Sequence, residues 1–261
     1  MKKMMAVLLV LVMAASLAAC TQATETIYVQ TESLRTIGEA EIRMEYEYSD
    51  DGTPLSVKTY FNDKLYQTTA ARTSGGVQYL TITDANGNSS TQSTETKYDE
   101  NGNVLQVSTS IGGTEAAYTN YTYDDNGMLV GTVSVTAAAV INTTYTYDEN
   151  GNLISELQQN QNDGTYQRKD FVYGENGYVV KESTYSAEDV LESYVEITYA
   201  NNDTEKTLTY YGGDGEPTGE VVVETYDEHG NKVGETTSVD GEVVMTIVNT
   251  YVALEVPVKG E

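Results

Sequence analysis

Apolar and polar residues alternate along most of this chain with a period of two, and short acidic corners interrupt the alternation at regular intervals. In Ala117-Tyr118-Thr119-Asn120-Tyr121-Thr122-Tyr123 the alternation puts Tyr121 and Tyr123 on one face of an extended strand. The corner Asp124-Asp125-Asn126-Gly127 follows, and Leu129-Val130 resume the apolar pattern. Asp accepts backbone hydrogen bonds at the first corner position, Asn tolerates the third, and Gly takes positive φ at no steric cost. The spelling therefore predicts a type I turn closed by a left-handed glycine, a common joint between antiparallel strands. No segment after residue 20 holds a 3.6-residue apolar period, so little helix is expected.

The same phrase returns throughout. It reads YSDDG at Tyr48–Gly52, YDENG at Tyr98–Gly102, YDDNG at Tyr123–Gly127, YDENG at Tyr147–Gly151, YGENG at Tyr173–Gly177 and YDEHG at Tyr226–Gly230. YANND at Tyr199–Asp203 is a degraded copy. From Tyr98 onward the Tyr-to-Tyr steps are 25, 24, 26, 26 and 27 residues, and the 50 residues from Tyr48 to Tyr98 leave room for a worn middle unit. Such repetition means one supersecondary unit stacked on its neighbours. Each unit reads as two strands and two turns. The acidic corners line one rim, and the less uniform turns at Gly112-Gly113, Asn162-Asp163-Gly164, Ala187-Glu188-Asp189, Asp214-Gly215-Glu216 and Asp240-Gly241 line the other.

The expected fold is all-β. Repeated antiparallel hairpins of roughly 25 residues, about 16–18 strands in sequential order, form one long, twisted, rolled-up meander sheet. A closed antiparallel barrel is the alternative, since closure removes exposed edges. Three residues beyond each glycine stand Leu55, Leu105, Val130, Ile154, Val180 and Val233, mostly preceded by another apolar residue. Adjacent residues of an extended strand face opposite ways, so both faces are expected to need cover at this end.

Tyr147-Asp148-Glu149-Asn150-Gly151-Asn152-Leu153 resembles the YD repeat of RHS-type proteins, whose units read Tyr-Asp-x-x-Gly-Asn-Leu, and Tyr98–Val104 differs from it by one conservative change. The resemblance covers most of residues 41–238 and implies antiparallel hairpins wound into a long sheet that curls on itself. Large RHS proteins close that sheet into a shell around a C-terminal domain. This chain is far shorter, and the shell function is not carried over.

The first residues are written differently. Lys2 and Lys3 precede an almost unbroken apolar run from Met4 to Leu17, small residues follow, and then comes Cys20, the only cysteine. This is the form of a secretory signal, and the run is too short for a spanning helix. Leu17-Ala18-Ala19-Cys20 resembles the lipobox of bacterial lipoproteins, which implies a diacylglyceryl group on Cys20 and cleavage just before it. Residues 1–19 then form the signal peptide, residues 20–40 the lipidated cysteine, a short polar tether over 21–26 and a first strand, and residues 41–261 the repeat domain. The expected location is a bacterial cell envelope, with the chain lipid-anchored on the extracytoplasmic side of a membrane.

Charge narrows the partners. All 40 acidic residues lie after Cys20, against 12 of the 14 basic ones, a net charge of −28. That balance argues against nucleic acid, which requires clustered Lys and Arg. The 22 Tyr against two Phe and no Trp suit thin sheets whose rings are half covered and whose hydroxyls reach water. Tyr46, Tyr48, Tyr121, Tyr123, Tyr145, Tyr147, Phe171 and Tyr173 form an aromatic row expected to face a partner, either an envelope glycan or a protein.

Catalysis is not expected. His229 is the only histidine, it occupies a corner position held by Asn elsewhere, and it supports no nucleophilic triad. Carboxylate pairs such as Asp99/Glu100 repeat with the corners and read as turn chemistry. No cofactor is expected beyond the lipid. Asp99, Asp124 and Asp148 would recur about 10 Å apart, two strand spacings, as a ladder of weak cation sites for Ca²⁺, although the helices and further ligands of a calcium loop are missing. The sequence thus reads as a monomeric, non-catalytic binding or scaffold module. An accessory or immunity role beside a YD-repeat toxin is the alternative, and a carboxylate-dependent hydrolase stands behind both.

Overall fold

The structure, a computed structural model, describes residues 20–259, so the expected signal sequence at 1–19 lies outside the described residues. The described chain is all strand and turn. Its strands are β1 (Cys20–Ile37), β2 (Ala40–Tyr48), β3 (Pro54–Phe61), β4 (Lys64–Ser74), β5 (Val77–Asp84), β6 (Ser89–Tyr98), β7 (Val104–Ile111), β8 (Thr114–Tyr123) and β9 (Leu129–Thr136). The second half adds β10 (Val140–Tyr147), β11 (Leu153–Asn160), β12 (Tyr166–Tyr173), β13 (Val179–Tyr185), β14 (Leu191–Ala200), β15 (Glu205–Gly212), β16 (Pro217–Tyr226), β17 (Lys232–Val239) and β18 (Glu242–Lys259).

Each strand pairs antiparallel with the next, from β1·β2 through β17·β18. β18 returns to β1 along a ladder running from Thr24↔Pro257 to Ile37↔Met245. The meander is therefore a closed 18-stranded barrel, the second of the two expected forms. Turns alternate between two rims. The Tyr rim carries the corners after the even-numbered strands from β2 to β16, and the far rim carries the rest.

One face of the wall points inward. Tyr46 pairs with Val57, Tyr121 with Thr132, and Thr132 with Thr143. Ile197, Leu208, Val222 and Thr237 form another run of paired residues on the face of Tyr199. Apart from Ser183 and Val256, every buried residue lies on this face. Val222 is 9% exposed there, whereas Val248 within β18 and Val172 near the end of β12, both on the opposite face, are 55% and 52% exposed. The concave side crowds its side chains and the convex side splays them, so the tyrosine face lines the lumen.

The lumen is not a filled core. Among the described residues, only Val57, Ile197, Val222 and Val256 are buried and apolar. No strand brings its Cα atoms within 8 Å of any strand other than its two ladder neighbours. Eighteen strands spaced about 4.8 Å apart and tilted as in barrels give a circumference of roughly 110 Å, beyond what side chains fill.

The apolar pairs after the glycines were expected to mark two faces, and the register corrects that reading. Lys97 pairs with Gln106 and Tyr98 with Val104, which leaves Leu105 as an extra residue. Leu55, Val130, Ile154, Val180 and Val233 are extra in the same way. A β-bulge sets two residues against one and bends the strand. The second apolar residue is thus the bulge itself, and strict alternation does not apply across it.

Candidate functional site

The corners come first, because they position everything on the Tyr rim. At Asp99–Asn103 the Gly102 N–H donates to the Asp99 carbonyl at 3.2 Å, and the Asp99 N–H donates to the Asn103 carbonyl at 2.8 Å. Gly102 sits at φ +87°, the left-handed region that disfavours a side chain. Asp99 Oδ1 accepts the Asn101 and Asn103 N–H groups at 2.8 Å each, and Oδ2 accepts the Asn103 side-chain amide at 2.9 Å. Asp148 repeats all three contacts with Asn150 and Asn152. Asp124 keeps the two backbone contacts, with Met128 in the last position. The Asn103 and Asn152 side chains, and the Met128 N–H at Asp124, lead in holding these three carboxyls below the usual carboxylate range. Their oxygens are committed to their own corners. Among the described residues, no group of three or more His, Cys, Asp and Glu side chains is placed to hold a metal ion.

The tyrosine before each corner does a different job. Tyr123 Oη donates to the Val104 carbonyl of the preceding hairpin at 3.0 Å, Tyr147 to Leu129 at 2.7 Å, Tyr173 to Leu153 at 2.9 Å and Tyr199 to Val179 at 3.1 Å. Tyr48 donates likewise to Gln30 at 2.9 Å. Each acceptor lies just past the end of a ladder: β7·β8 stops at Gln106↔Asn120, β9·β10 at Gly131↔Thr144, β11·β12 at Ser155↔Asp170 and β13·β14 at Lys181↔Glu196. The carbonyl that the bulged strand leaves beyond its ladder takes the next repeat's phenol. At the seam the acceptor is the Lys232 carbonyl and the donor is the side-chain amide of Asn249, at 2.8 Å.

Where the preceding ladder runs to its end, the lock is missing. Ahead of Tyr98, β4 and β5 meet in the two-residue turn Gly75-Gly76 with Ser74↔Val77 paired, and β5·β6 is paired through to Val77↔Glu95. Tyr98 is 60% exposed. The degraded corner at Tyr199–Asp203 lacks a glycine and sets Asn201, Asn202 and Asp203 at φ +54°, +55° and +64°. No bulge follows it, β14·β15 runs to Ala200↔Glu205, and β15·β16 continues to Glu205↔Thr225. Tyr226 therefore finds no spare carbonyl and donates to Glu224 Oε2 at 2.9 Å.

That release builds a local charged group. Lys232 Nζ lies 2.6 Å from Glu224 and also bonds Glu235, while Lys206 Nζ lies 3.3 Å from Glu224. Burial works against ionising Glu224, yet the bonds from Lys232 and Tyr226 outweigh it and hold the carboxyl below its ordinary value. Burial and the Glu224 carboxylate push the Tyr226 phenol up to about 12, so it stays a neutral donor. Beside this group lies a cleft of about 460 Å³ between the corners at 199–204 and 226–230, lined by Tyr178, Tyr199, Asp203, Lys206, Tyr226 and Asp227 among others. The Tyr178 and Tyr199 rings meet there with centroids 4.9 Å apart, and Tyr178 Oη donates to Asp203 Oδ2 at 3.3 Å. The sequence offered one signal for this cleft, the loss of Gly from YANND.

The expected aromatic row divides in two. Tyr48, Tyr123, Tyr147 and Tyr173 spend their hydroxyls on backbone carbonyls. Tyr46, Tyr121, Tyr145 and Phe171 sit one step further from the rim on the lumen face, half-buried. Burial raises the pKa of Tyr46 and Tyr121, with Tyr123 and Tyr145 adding to the effect at Tyr121. His229 stacks on Tyr28 at 3.9 Å between centroids. Cys20 opens β1, which continues past the Tyr rim alongside β18.

Among solved structures, a porin-like protein from Bacteroides uniformis aligns with 12% identity over 90% of this chain and 99% of its own, at a TM-score of 0.41. A porin-like protein from Bacteroides vulgatus shares 12% identity over 85% and 98% of the two chains, at 0.37. The Photorhabdus luminescens Tc holotoxin pore shares 15% identity over 89% of this chain but 15% of its own, at 0.24. No curated protein matches the sequence. A family model, the Teneurin YD-shell, matches residues 40–211, the stretch in which corners, bulges and tyrosine locks recur, and the chain belongs to that family.

Proposed function

We propose that this YD-repeat barrel is a non-catalytic binding module of a bacterial cell envelope, held on the extracytoplasmic side of a membrane by a diacylglyceryl group on Cys20. The observation that carries the reading is the β1·β18 ribbon. β1 leaves β2 at Glu32↔Glu45 and β18 leaves β17 at Gly234↔Val248, yet the two continue together from Gln30↔Tyr251 to Thr24↔Pro257. The chain thus runs to Cys20 along a two-stranded ribbon at the Tyr rim, with Ile27 and Val256 against the Gly52 corner and Tyr28 on His229. Anchored there, the barrel turns its far rim away from the bilayer.

The wall itself suits water. Arg43, Glu45, Glu47 and Lys58 stand on the outward face, with Lys58 Nζ 2.6 Å from Glu47, and Arg168 pairs with Asp170 at 3.0 Å on the same face. A lipid-facing barrel wall needs an apolar band instead. No helix among the described residues is long and apolar enough to cross a membrane. The non-catalytic reading is supported by the use of the acidic corners as backbone acceptors and of His229 as a stacking partner for Tyr28.

Labelling with an alkyne fatty acid tests the anchor: the wild-type chain takes up label, and Cys20→Ser does not. For the binding role, the Tyr121→Leu/Tyr145→Leu pair should weaken retention of the protein on isolated, lipid-free cell-wall material while its melting point stays that of a folded barrel. Undiminished retention overturns the lumen as the docking surface. A second reading, an accessory protein for a YD-repeat toxin, draws on the Teneurin YD-shell match and predicts a neighbouring gene for such a toxin and a stable complex with it.

A further inference from the structure

We propose that the sector of the lumen around Arg35 binds a long-chain fatty acid, with the carboxylate on the guanidinium and the alkyl chain on the apolar wall beside it. Tyr121 and Tyr145, on which the docking of an envelope partner rests, stand across the barrel, since nine strands separate β1 from β10 in either direction round the wall. The inference therefore goes beyond that docking and shares only the open lumen with it.

The chain has four arginines, and three of them are used on the outer wall. Arg43 pairs across its ladder with Tyr60, Arg72 with Tyr79 and Arg168 with Tyr185. Each guanidinium lies over the ring of its ladder partner, 4.3, 3.9 and 4.3 Å from the centroid. Arg35 is placed differently. Its ladder partners are Ile42 on β2 and Ile247 on β18, and Ile42 in turn pairs with Phe61, which puts Arg35 on the lumen face with Tyr46. Among the described residues, no ion pair, side-chain hydrogen bond or ring contact holds its guanidinium. Glu235, two strands away across Ile247, is already bonded to Lys232.

The wall around this cation is apolar. Ile37 and Met245 form the pair between Arg35 and the far rim, Ile42 and Ile247 flank it, and Met44 pairs with Ser33 on its other side. At the mouth, Ile37 and Phe61 are 46% and 49% exposed. The parallel N–H donors of a guanidinium match a carboxylate. One cation calls for one anionic group, and the net charge of −28 after Cys20 repels ligands that carry more. The side chains around it call for hydrocarbon. An alkyl chain laid on them removes apolar area from water, and the two methionines adapt to a flexible one. An acidic sugar or a short acidic peptide would satisfy Arg35 and leave that wall uncovered.

Photolabelling of the full-length protein in detergent micelles tests this, with hexadecanoic acid carrying a mid-chain diazirine as the probe and peptide mass spectrometry as the readout. Saturable labelling confined to β1–β3, β17 and β18 is expected. Unlabelled hexadecanoate should displace it, and hexadecanol, which has the tail without the charge, should do so about tenfold less well. Arg35→Gln should lower labelling at limiting probe by about tenfold, and Arg35→Lys should keep part of it. Arg72→Gln on the outer wall should leave it unchanged. Arg35 holds no partner, so the melting curve of Arg35→Gln should overlay that of wild type, and the comparison of acid with alcohol needs no variant at all. Equal labelling of wild type and Arg35→Gln overturns the site. So does equal displacement by the alcohol, labelling spread over the outer wall, or no saturable labelling. Each of these outcomes leaves retention on lipid-free cell-wall material through Tyr121 and Tyr145, measured separately, as it was.

Discussion

Two corners of this barrel share a spelling and differ in what they do. Asp84-Ala85-Asn86-Gly87-Asn88 stands on the far rim, and Asp99-Glu100-Asn101-Gly102-Asn103 stands on the Tyr rim one strand later. Their internal hydrogen bonds are the same, contact for contact. Asp84 accepts the Asn86 and Asn88 N–H groups at 2.8 and 2.9 Å and the Asn88 side-chain amide at 2.9 Å. Asn88 leads in holding the Asp84 carboxyl low, as Asn103 does for Asp99. Around them everything else changes. Thr83 precedes the first corner and Tyr98 the second. Ser89-Ser90 follow the first and pair without a bulge, whereas Val104-Leu105 follow the second and form one. The acidic corner is a local device that reverses the chain at any position. The tyrosine and the bulge are a separate device that ties one hairpin to the next.

The largest effects should come from removing a corner acceptor. Asp84→Ala and Asp148→Ala each delete three hydrogen bonds, and thermal melting should fall by a few degrees for both, with the two within about 1 °C of each other. A much larger loss at Asp148 would show that the corner is not purely local. Acid probes the same groups. Their folded pKa values lie below the unfolded ones, so their stabilisation is complete above the unfolded value and is lost as pH falls through the folded one. Wild-type stability should therefore decline below about pH 4 in equilibrium unfolding, and less steeply in the double alanine variant.

Next in size is the lock. Tyr147→Phe leaves the Leu129 carbonyl without its donor and should cost about 1 kcal/mol in urea unfolding. Tyr98→Phe, whose phenol locks no carbonyl, should change stability by less than about 0.3 kcal/mol. Equal losses would sink the distinction. The smallest effect is expected from Thr83→Tyr, which supplies the far-rim corner with the missing ring. β4·β5 is paired out to Gln67↔Asp84, so no spare carbonyl awaits it, and stability should stay within about 0.5 kcal/mol of wild type.

The sequence spells the corners openly, because Asp, Asn and Gly each answer a backbone requirement at a fixed place. Alternation likewise puts Tyr121 and Tyr123 on one face, where the register finds them. The Asp84–Asn88 corner carries no tyrosine ahead of it, so the repeat phrase that begins with tyrosine does not mark it. The worn middle unit between Tyr48 and Tyr98 is the bare Gly75-Gly76 turn, which keeps the strand reversal and drops both devices. Leu105 and its equivalents fall outside the alternation because a bulge breaks the period that alternation assumes. The tyrosine locks depend on where a neighbouring ladder stops, and no residue announces that by itself. The cleft at Asp203 lies one inference further still, since it arises from what a lost glycine does to the following two strands.

Closure is the feature least visible to local pattern, and it bears on how the molecule is made. Every other strand meets its partner within a few dozen residues, so hairpins can assemble in the order in which they emerge. β1 must wait for β18, which follows all the other described strands in the chain. Until it arrives, both borders of the growing wall offer unpaired peptide groups to any other chain. A truncation that removes β18 should for that reason yield aggregation rather than a shorter barrel.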